Sequence, residues 1–474
     1  MRHNGYKVVS LLVCCWLLIA CGGGGGETTP NNNVLNQSLT TKECPLGEIN
    51  TNGVCRSAAN VCTADAEKVW VRGFLDDAYL WYAQIKEVDS KKYSTPKNYF
   101  DALLVKEKDR FSYAISKEEA DSFFESGLQL SFGVFWAYDE NNFLRVRFVE
   151  PNSAAAQAGL ARGDYVLSIN NQSVDTLSDA QISELLTAKV SSQMTLQLLD
   201  ASTTQNKQIT LTAQNLVTSA VPYYTVLVNS QNSQDKVGYL LFNEHIATAT
   251  ADLLEAVDYF KAQNITDLVL DVRFNSGGYA YIANELAAMI GGQKTAGKLF
   301  GRYIFNQKYG IDDEYFAQQS YPSGRFLPYL NLSRLFVLTS KQTCSASEGI
   351  INSLSPFMRV IRIGEETCGK PYGMEREYNC DSAYFAITYK TQNAISQSIP
   401  ETGYTPTCLA YESLDAPLGS PQEGLLANAL YYRDTGYCFV NSSVQSSKVL
   451  NKAYIRPLAK PQWQNNMILR ENIR

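Results

Sequence analysis

Between residues 220 and 440, short apolar runs alternate with segments of helical periodicity, and that alternation admits few architectures. "KVGYLLF" precedes the helical "ATADLLEAVDYFKAQN", "DLVLDVRF" leads through "NSGG" to "YAYIANELAAMIGG", and "SRLFVLTS" leads through "QTCSASEG" to "IINSL". Repeated strand-then-helix texture predicts an α/β domain. Sheets of this kind place their sites at the carboxyl ends of the strands. "NSGG" and "QTCSASEG" both fall at such a strand-to-helix turn.

At 474 residues the chain is too long for one core and predicts two or three domains. Residues 63–125 read as helical: Val71, Phe74, Leu75, Ala78, Tyr79 and Tyr82 recur at helical spacings, and "SKEEADSFFESG" opens with a Ser-x-x-Glu capping pattern. From residue 126 the texture turns to short alternating runs with turns between them. Within it, "GLARGDYVLSINNQSV" is similar to the core of PDZ domains. These add an extended chain end to a sheet edge and hold its carboxylate on backbone N–H groups. The resemblance places that loop at Leu130, Ser131, Phe132, Gly133 and Val134; a small β-domain that only packs on its neighbours remains the alternative. The aromatic stretch 303–332 reads equally as a cleft wall and as surface.

Arg2 and Lys7, the apolar run "VVSLLVCCWLLIA" and small Ala20 before Cys21 predict an export signal over residues 1–20, too short to span a bilayer comfortably. "LIAC" resembles the lipobox of bacterial lipoproteins, which implies lipidation of Cys21 and a lipid anchor in the membrane. Residues 21–43, rich in Gly, Asn and Thr, read as a flexible tether. Cys14 and Cys15 leave with the signal, so eight cysteines remain: Cys44, Cys55, Cys62, Cys344, Cys368, Cys380, Cys408 and Cys438. An even count in an exported chain predicts disulfides. No Cys-x-x-Cys occurs among them, and one histidine, His245, remains after export, so no metal site and no cofactor is expected. A formal net charge of −6 gives no reason to expect nucleic acid.

A serine hydroxyl needs a base within hydrogen-bond reach to become a nucleophile. His245, in "FNEHIA", reads more readily as a polar strand-end residue than as that base. Lysine serves if burial removes its charge, and "MRVIRIGEETCGKPYG" offers Lys370 among small residues after a strand. Taken alone, Ser345 and Glu348 equally form a capping box at the start of the next helix.

The set "LVLDVRFNSGG", "LTSKQTCSASEGIINSL" and "IGEETCGK", with "KDRFSYAISKEEADSFFESG" upstream of the PDZ-like run, resembles the C-terminal processing (tail-specific) serine peptidases over roughly residues 63–440. The resemblance implies a multidomain α+β chain: a Cys-containing lead-in and helical N-terminal domain at 44–125, a PDZ β-domain at 126–214, an α/β peptidase domain of crotonase-like or ClpP-like type at 215–440, and a C-terminal tail at 441–474. It implies Ser345 as nucleophile, Lys370 as general base, and an oxyanion hole from the N–H groups of Gly277 or Gly278 and of Ala346. Two departures stand out. Met374 occupies the place of a glutamine thought to orient the lysine, and Glu366 stands where a proline is usual. Cys344 and Cys368 each lie within two residues of an expected catalytic neighbour, and a disulfide between them would pin the two loops together.

The function expected is a membrane-tethered serine endopeptidase of the bacterial cell envelope, on the periplasmic side of the outer membrane. It would hydrolyse exported polypeptides through a Ser-Lys dyad while the PDZ domain holds substrate C-termini. The alternative, kept open by Met374, is a catalytically inactive PDZ-containing lipoprotein that binds peptides.

Overall fold

The computed structural model describes residues 43–229, 232–439 and 455–458, and the backbone of 467–470. The expected export signal, Cys21 and all but the last residue of the tether lie outside the described residues. No helix among the described residues is long and apolar enough to cross a membrane.

A short hairpin, Glu48–Thr51 against Val54–Ser57, is closed by the Cys44–Cys55 disulfide. Helices α1 (Ala64–Ala78), α2 (Pro96–Leu103) and α3 (Lys117–Ser126) each start at a hydroxyl that accepts a backbone N–H three residues on, at Thr63, Thr95 and Ser116. Their apolar faces (Val71, Leu75, Phe100, Leu103, Phe123 and Phe124) are buried in the cluster that also covers the peptidase sheet, so this helical region shares its core with the α/β domain. The helical expectation fails between α2 and α3. There Asp109 Oδ1 accepts the N–H groups of Phe111 and Ser112, and Tyr113–Ser116 then pairs as a strand with residues 382–385. A side chain that takes up backbone donors in this way competes with the helix.

The PDZ unit contains β1 (Leu128–Ser131), β2 (Val134–Tyr138), β3 (Leu144–Val149), β4 (Tyr165–Ile169), helix α4 (Asp179–Leu186), β5 (Gln193–Leu199), β6 (Asn206–Thr212) and β7 (Gln214–Val217). Its sheet runs β6-β5-β4-β3-β2, and β1 pairs with β7. Trp136, Val146, Val166, Leu196 and Leu198 alternate inward to a core of their own, as period-2 patterning requires.

The α/β domain is built from β8 (Tyr223–Asn229), β9 (Asn232–Leu241), α5 (Ala249–Gln263), β10 (Asp267–Asp271), β11 (Gly277–Tyr279), α6 (Ala280–Gly291), β12 (Leu299–Phe305), β13 (Ile311–Tyr315), β14 (Arg334–Thr339), α7 (Ala346–Leu354), β15 (Arg359–Gly364), β16 (Tyr372–Asn379), β17 (Ser382–Gln392), β18 (Cys408–Leu409) and α8 (Gly424–Thr435). One sheet has the order β8-β9-β10-β14-β15-β18, antiparallel only between β8 and β9. Along β10 and β14, Leu268, Leu270, Leu335 and Val337 face one core, while Val269, Phe336 and Leu338 face another. Burial on both faces explains why these strands read as continuous apolar runs.

Candidate active site

Three parallel strands end level with one another: Asp271 of β10 lies opposite Leu338 of β14, and Thr339 opposite Gly364 of β15. The turns that follow, 272–276, 340–345 and 365–370, therefore meet at one edge of the sheet. They hold Asn275 and Ser276, which lead into Gly277 and Gly278 of β11, together with Ser345 and Lys370.

Ser345 is the cap residue of α7, at φ 65° and ψ −115°, and is fully buried. A non-glycine residue at positive φ is strained by roughly 1–3 kcal/mol. Of the capping box it forms by position with Glu348, the half made at hydrogen-bonding geometry is Ser345 N–H to Glu348 Oε2, 2.9 Å. Ser345 Oγ has no hydrogen-bond partner among the described residues. The hydroxyl is thus withheld from the cap.

Glu348 does more than start a helix. Its Oε2 also accepts Lys370 N–H at 3.0 Å, while Oε1 accepts Gly369 N–H at 2.9 Å and the Thr367 hydroxyl at 2.5 Å. One buried carboxylate thereby holds both the Ser345 turn and the lysine loop. Burial pushes its pKa up, and these donors oppose that push. The same two loops are joined covalently, since Cys344 pairs with Cys368, as spacing had suggested. The remaining pairs are Cys44–Cys55, Cys62–Cys380 and Cys408–Cys438. Cys344, Glu348 and Cys368 form the one metal-sized grouping found among the described residues, and its sulfurs are bonded to each other.

Lys370 is fully buried. Loss of water lowers its pKa to about 7, against the opposing charges of Asp109 and Glu348. Its Nζ lies 3.3 Å from Met374 Sδ and 5.1 Å from the centre of the Phe111 ring. Met374 thus sits against the lysine it was feared to leave unsupported. A thioether is a weak acceptor, so this contact orients the amine without holding it charged.

Asn275 fixes the third turn. Its Oδ1 accepts Gly277 N–H at 2.9 Å and lies 2.9 Å from His245 Nδ1; its Nδ2 donates to Phe242 O; its carbonyl accepts Cys344 N–H and the Ser347 hydroxyl, both at 3.2 Å. Ser347 is therefore a brace rather than a cap. The Gly277 N–H is already spent on Asn275, which removes it from the expected oxyanion donors and leaves Gly278 and Ala346. As the first residue of α7, Ala346 has no intrahelical partner for its N–H. Gly278 has φ +139°, and a Cβ there would lie 2.2 Å from His245 O. His245 itself is buried, with its pKa lowered to about 3 by desolvation. Its backbone N–H donates to Gly277 O and its carbonyl accepts Tyr279 N–H, so it shapes the glycine turn.

The PDZ residues Leu130, Ser131, Phe132, Gly133 and Val134 lie together at the turn between β1 and β2. Gly133 has φ +78°, and a Cβ there would lie 2.3 Å from Ser153 Cβ. Its N–H is taken by Ser131 Oγ at 2.9 Å. A groove of ≈ 730 Å³ runs between this turn and α4, lined among others by Leu130, Phe132, Val134 and Leu186. On its far side the PDZ unit touches two of the three sheet-edge turns directly. Phe135 and Phe148 pack on Phe274, and Arg147 donates to Gln342 Oε1 at 2.5 Å and to Glu412 Oε2 at 2.7 Å.

Ser345, Lys370 and the glycine turn, the residues that the motifs single out, lie on turns at one edge of the sheet. The motifs do not single out Glu348 as a clamp, Asn275 as a brace or Asp109 and Phe111 beside the lysine. "KDRFSY", which resembles the family pattern, is the sequence signal available for the last two.

The fold and this arrangement are those of a serine peptidase domain with an inserted PDZ unit. Residues 236–408 match peptidase family S41, residues 66–113 the peptidase S41 N-terminal domain, and residues 145–200 a PDZ domain. The chain therefore carries an S41 peptidase domain together with an S41 N-terminal domain and a PDZ domain, and it is similar to carboxyl-terminal-processing peptidases. It is 26% identical over 249 residues to a carboxyl-terminal-processing protease of Synechocystis, covering 52% of this chain and 54% of that one. It is 26% identical over 258 residues to the chloroplastic carboxyl-terminal-processing peptidase 2 of Arabidopsis thaliana, covering 54% and 47%. The chain thus spans about half the length of the curated relatives it matches. A crystal structure of a candidate S41 protease from Bacteroides fragilis shares the fold, with TM-score 0.64 and 24% identity over 78% of this chain and 97% of that one.

Proposed function

We propose that this chain is a serine endopeptidase that cleaves polypeptides with Ser345 as nucleophile and Lys370 as general base. The observation that carries this is that one edge of the sheet brings together the turn of a buried, strained serine whose hydroxyl is left uncommitted and the loop of a buried lysine whose pKa falls to about 7. Neutral Lys370 takes the hydroxyl proton as Ser345 Oγ attacks the peptide carbonyl. The carbonyl π electrons move onto oxygen, which the N–H groups of Gly278 and Ala346 receive. Collapse of that intermediate breaks the C–N bond, and Lys370 returns the proton to the leaving amine. Water, deprotonated by the same amine, then attacks the acyl-serine and releases the second product. Preorganised donors at an oxyanion are each worth about 10²–10³ in rate.

The PDZ unit supports recognition of substrate C-termini, because the edge of β2 beside the Leu130–Val134 turn accepts an added antiparallel strand. Four disulfides among the described residues fit an oxidising compartment. With the "LIAC" motif they support a lipid-anchored protein of the bacterial envelope, on the periplasmic side of the outer membrane. The test is hydrolysis of casein and of a quenched fluorescent peptide by the chain lacking residues 1–43. Ser345→Ala and Lys370→Ala are each expected to lose at least about 10³-fold in kcat/KM. Protein with Ser345 that folds but cleaves nothing across pH 6 to 9, both with and without residues 455–474, would favour the peptide-binding alternative.

A further inference from the structure

Two segments near the C-terminal end of the chain are paired into the places that a bound peptide would take. The first is β19 (Arg456–Pro457), which adds antiparallel to the edge of β2, with Arg456 opposite Tyr138 and Pro457 opposite Ala137. Leu458 N–H continues the ladder by donating to Trp136 O at 3.1 Å. Numbers rise along β19 as they fall along β2, so the segment runs toward the Leu130–Val134 turn. A peptide added to this edge with its C-terminal side at that turn would run the same way. Leu458 lines the ≈ 730 Å³ groove, and Ile455 is buried with Ala137 and Leu414. Arg456 Nη1 lies 2.6 Å from Asp179 of α4, and its guanidinium stacks 4.2 Å over the Tyr138 ring.

The second segment is β20 (Met467–Arg470). It lies between β11 and β16 and is parallel to both: Gly277, Gly278 and Tyr279 face Met467, Ile468 and Leu469, while Met374 and Glu375 face Leu469 and Arg470. In the sheet order β11-β20-β16-β17-β12-β13, β11 and β16 meet only through β20. Adjacent strands are about 4.8 Å apart, so this leaves a slot about 10 Å wide that takes one extended chain. One wall of the slot carries the glycines beside the nucleophile. The other carries Met374, which touches Lys370.

We propose that segments 455–458 and 467–470 are internal ligands of the peptide channel, the first on the PDZ edge and the second in the strand slot at the catalytic turns. The intact chain excludes an extended substrate until these segments are displaced. This rests on the peptidase reading of the site, and it names the regulation of that site. Because the ligand is tethered, its effective concentration is on the order of millimolar, and a free peptide must compete with it.

The test uses the Ser345→Ala background, so that nothing is cleaved, and compares the full chain with a chain ending at residue 454. A fluorescein-labelled synthetic peptide copying residues 452–474 is titrated onto each and followed by anisotropy. The shortened chain is expected to bind it at least about tenfold more tightly. Equal affinities, or no binding to the shortened chain, overturn the proposal. If the shortened chain fails to fold by thermal melt, the full-length double variant Arg456→Glu/Leu458→Asp replaces it and is expected to gain affinity in the same direction; unchanged affinity overturns the proposal. Absence of turnover in a folded chain ending at residue 454 that keeps Ser345 would defeat the peptidase reading and leave this binding comparison intact. Equal affinities would defeat the internal ligand and leave turnover untouched.

Discussion

Glu348 and Met374 decide how Ser345 and Lys370 are held, and each invites a substitution. Glu348 accepts four donors, two on each oxygen. Glutamine keeps one accepting oxygen and turns an NH₂ toward donors, so two buried N–H or O–H groups lose their acceptor. Such losses cost about 1–3 kcal/mol each. Glu348→Gln is expected to lower the melting temperature and to remove most peptide hydrolysis, read by calorimetry and by a fluorogenic peptide. Met374 touches the lysine directly. An amide oxygen in place of the thioether would accept from the ammonium and favour the charged form. Met374→Gln should therefore move the midpoint of the pH–rate profile upward from about 7, toward the ordinary lysine value. A midpoint that stays or falls would show that Met374 does not set the charge of Lys370.

At the scale of elements, the site consists of three turns fixed to parallel strands, and each turn is tied to another. Asn275 ties the glycine turn to the Ser345 turn, and the Cys344–Cys368 bridge and Glu348 tie the Ser345 turn to the lysine loop. The bridge closes a loop with a sequence separation of 24, which constrains the unfolded chain by about 3 kcal/mol. The double variant Cys344→Ala/Cys368→Ala is expected to lose stability of that order in chemical denaturation and to lose activity by a larger factor than Cys44→Ala/Cys55→Ala. Strands, helices and the identity of these turns were legible because apolar periodicity and small-residue turns are local signals. The ties were not. Asn275 contacts residues 242, 245, 344 and 347, and a lone asparagine in a turn gives no hint of partners about 30 and 70 positions away. The same holds for Asp109. Its carboxylate ends the helical pattern locally, yet its charge acts on Lys370, which only the fold brings near. For Gly277, motif register could not show that its N–H is already used.

Over the whole molecule, the PDZ unit and the peptidase domain meet through a buried charge cluster. Glu412 lies among Arg147 and Arg162 of the PDZ unit and Arg273 beside the glycine turn. Burial alone would raise its pKa, but the three guanidinium groups hold it down to about 2. A carboxylate depressed in the folded state contributes stability that is fully present above its unfolded pKa, about 4.5, and is lost as pH falls toward 2. The contribution is on the order of 3 kcal/mol. Denaturant unfolding of the wild type is expected to weaken between pH 4.5 and 2. Glu412→Gln should be less stable at neutral pH and lack that part of the pH dependence. An identical slope in both proteins would remove Glu412 as its source.

The central claim is that a neutral, buried Lys370 activates Ser345, and the pH dependence of kcat/KM on an uncharged fluorogenic peptide tests it most directly. The account predicts a rate that falls tenfold per unit below pH 7, levels off above it, and keeps the same midpoint in His245→Gln even if its height drops. A profile flat through pH 7, or turnover that survives Lys370→Ala and vanishes with His245→Gln, would contradict it.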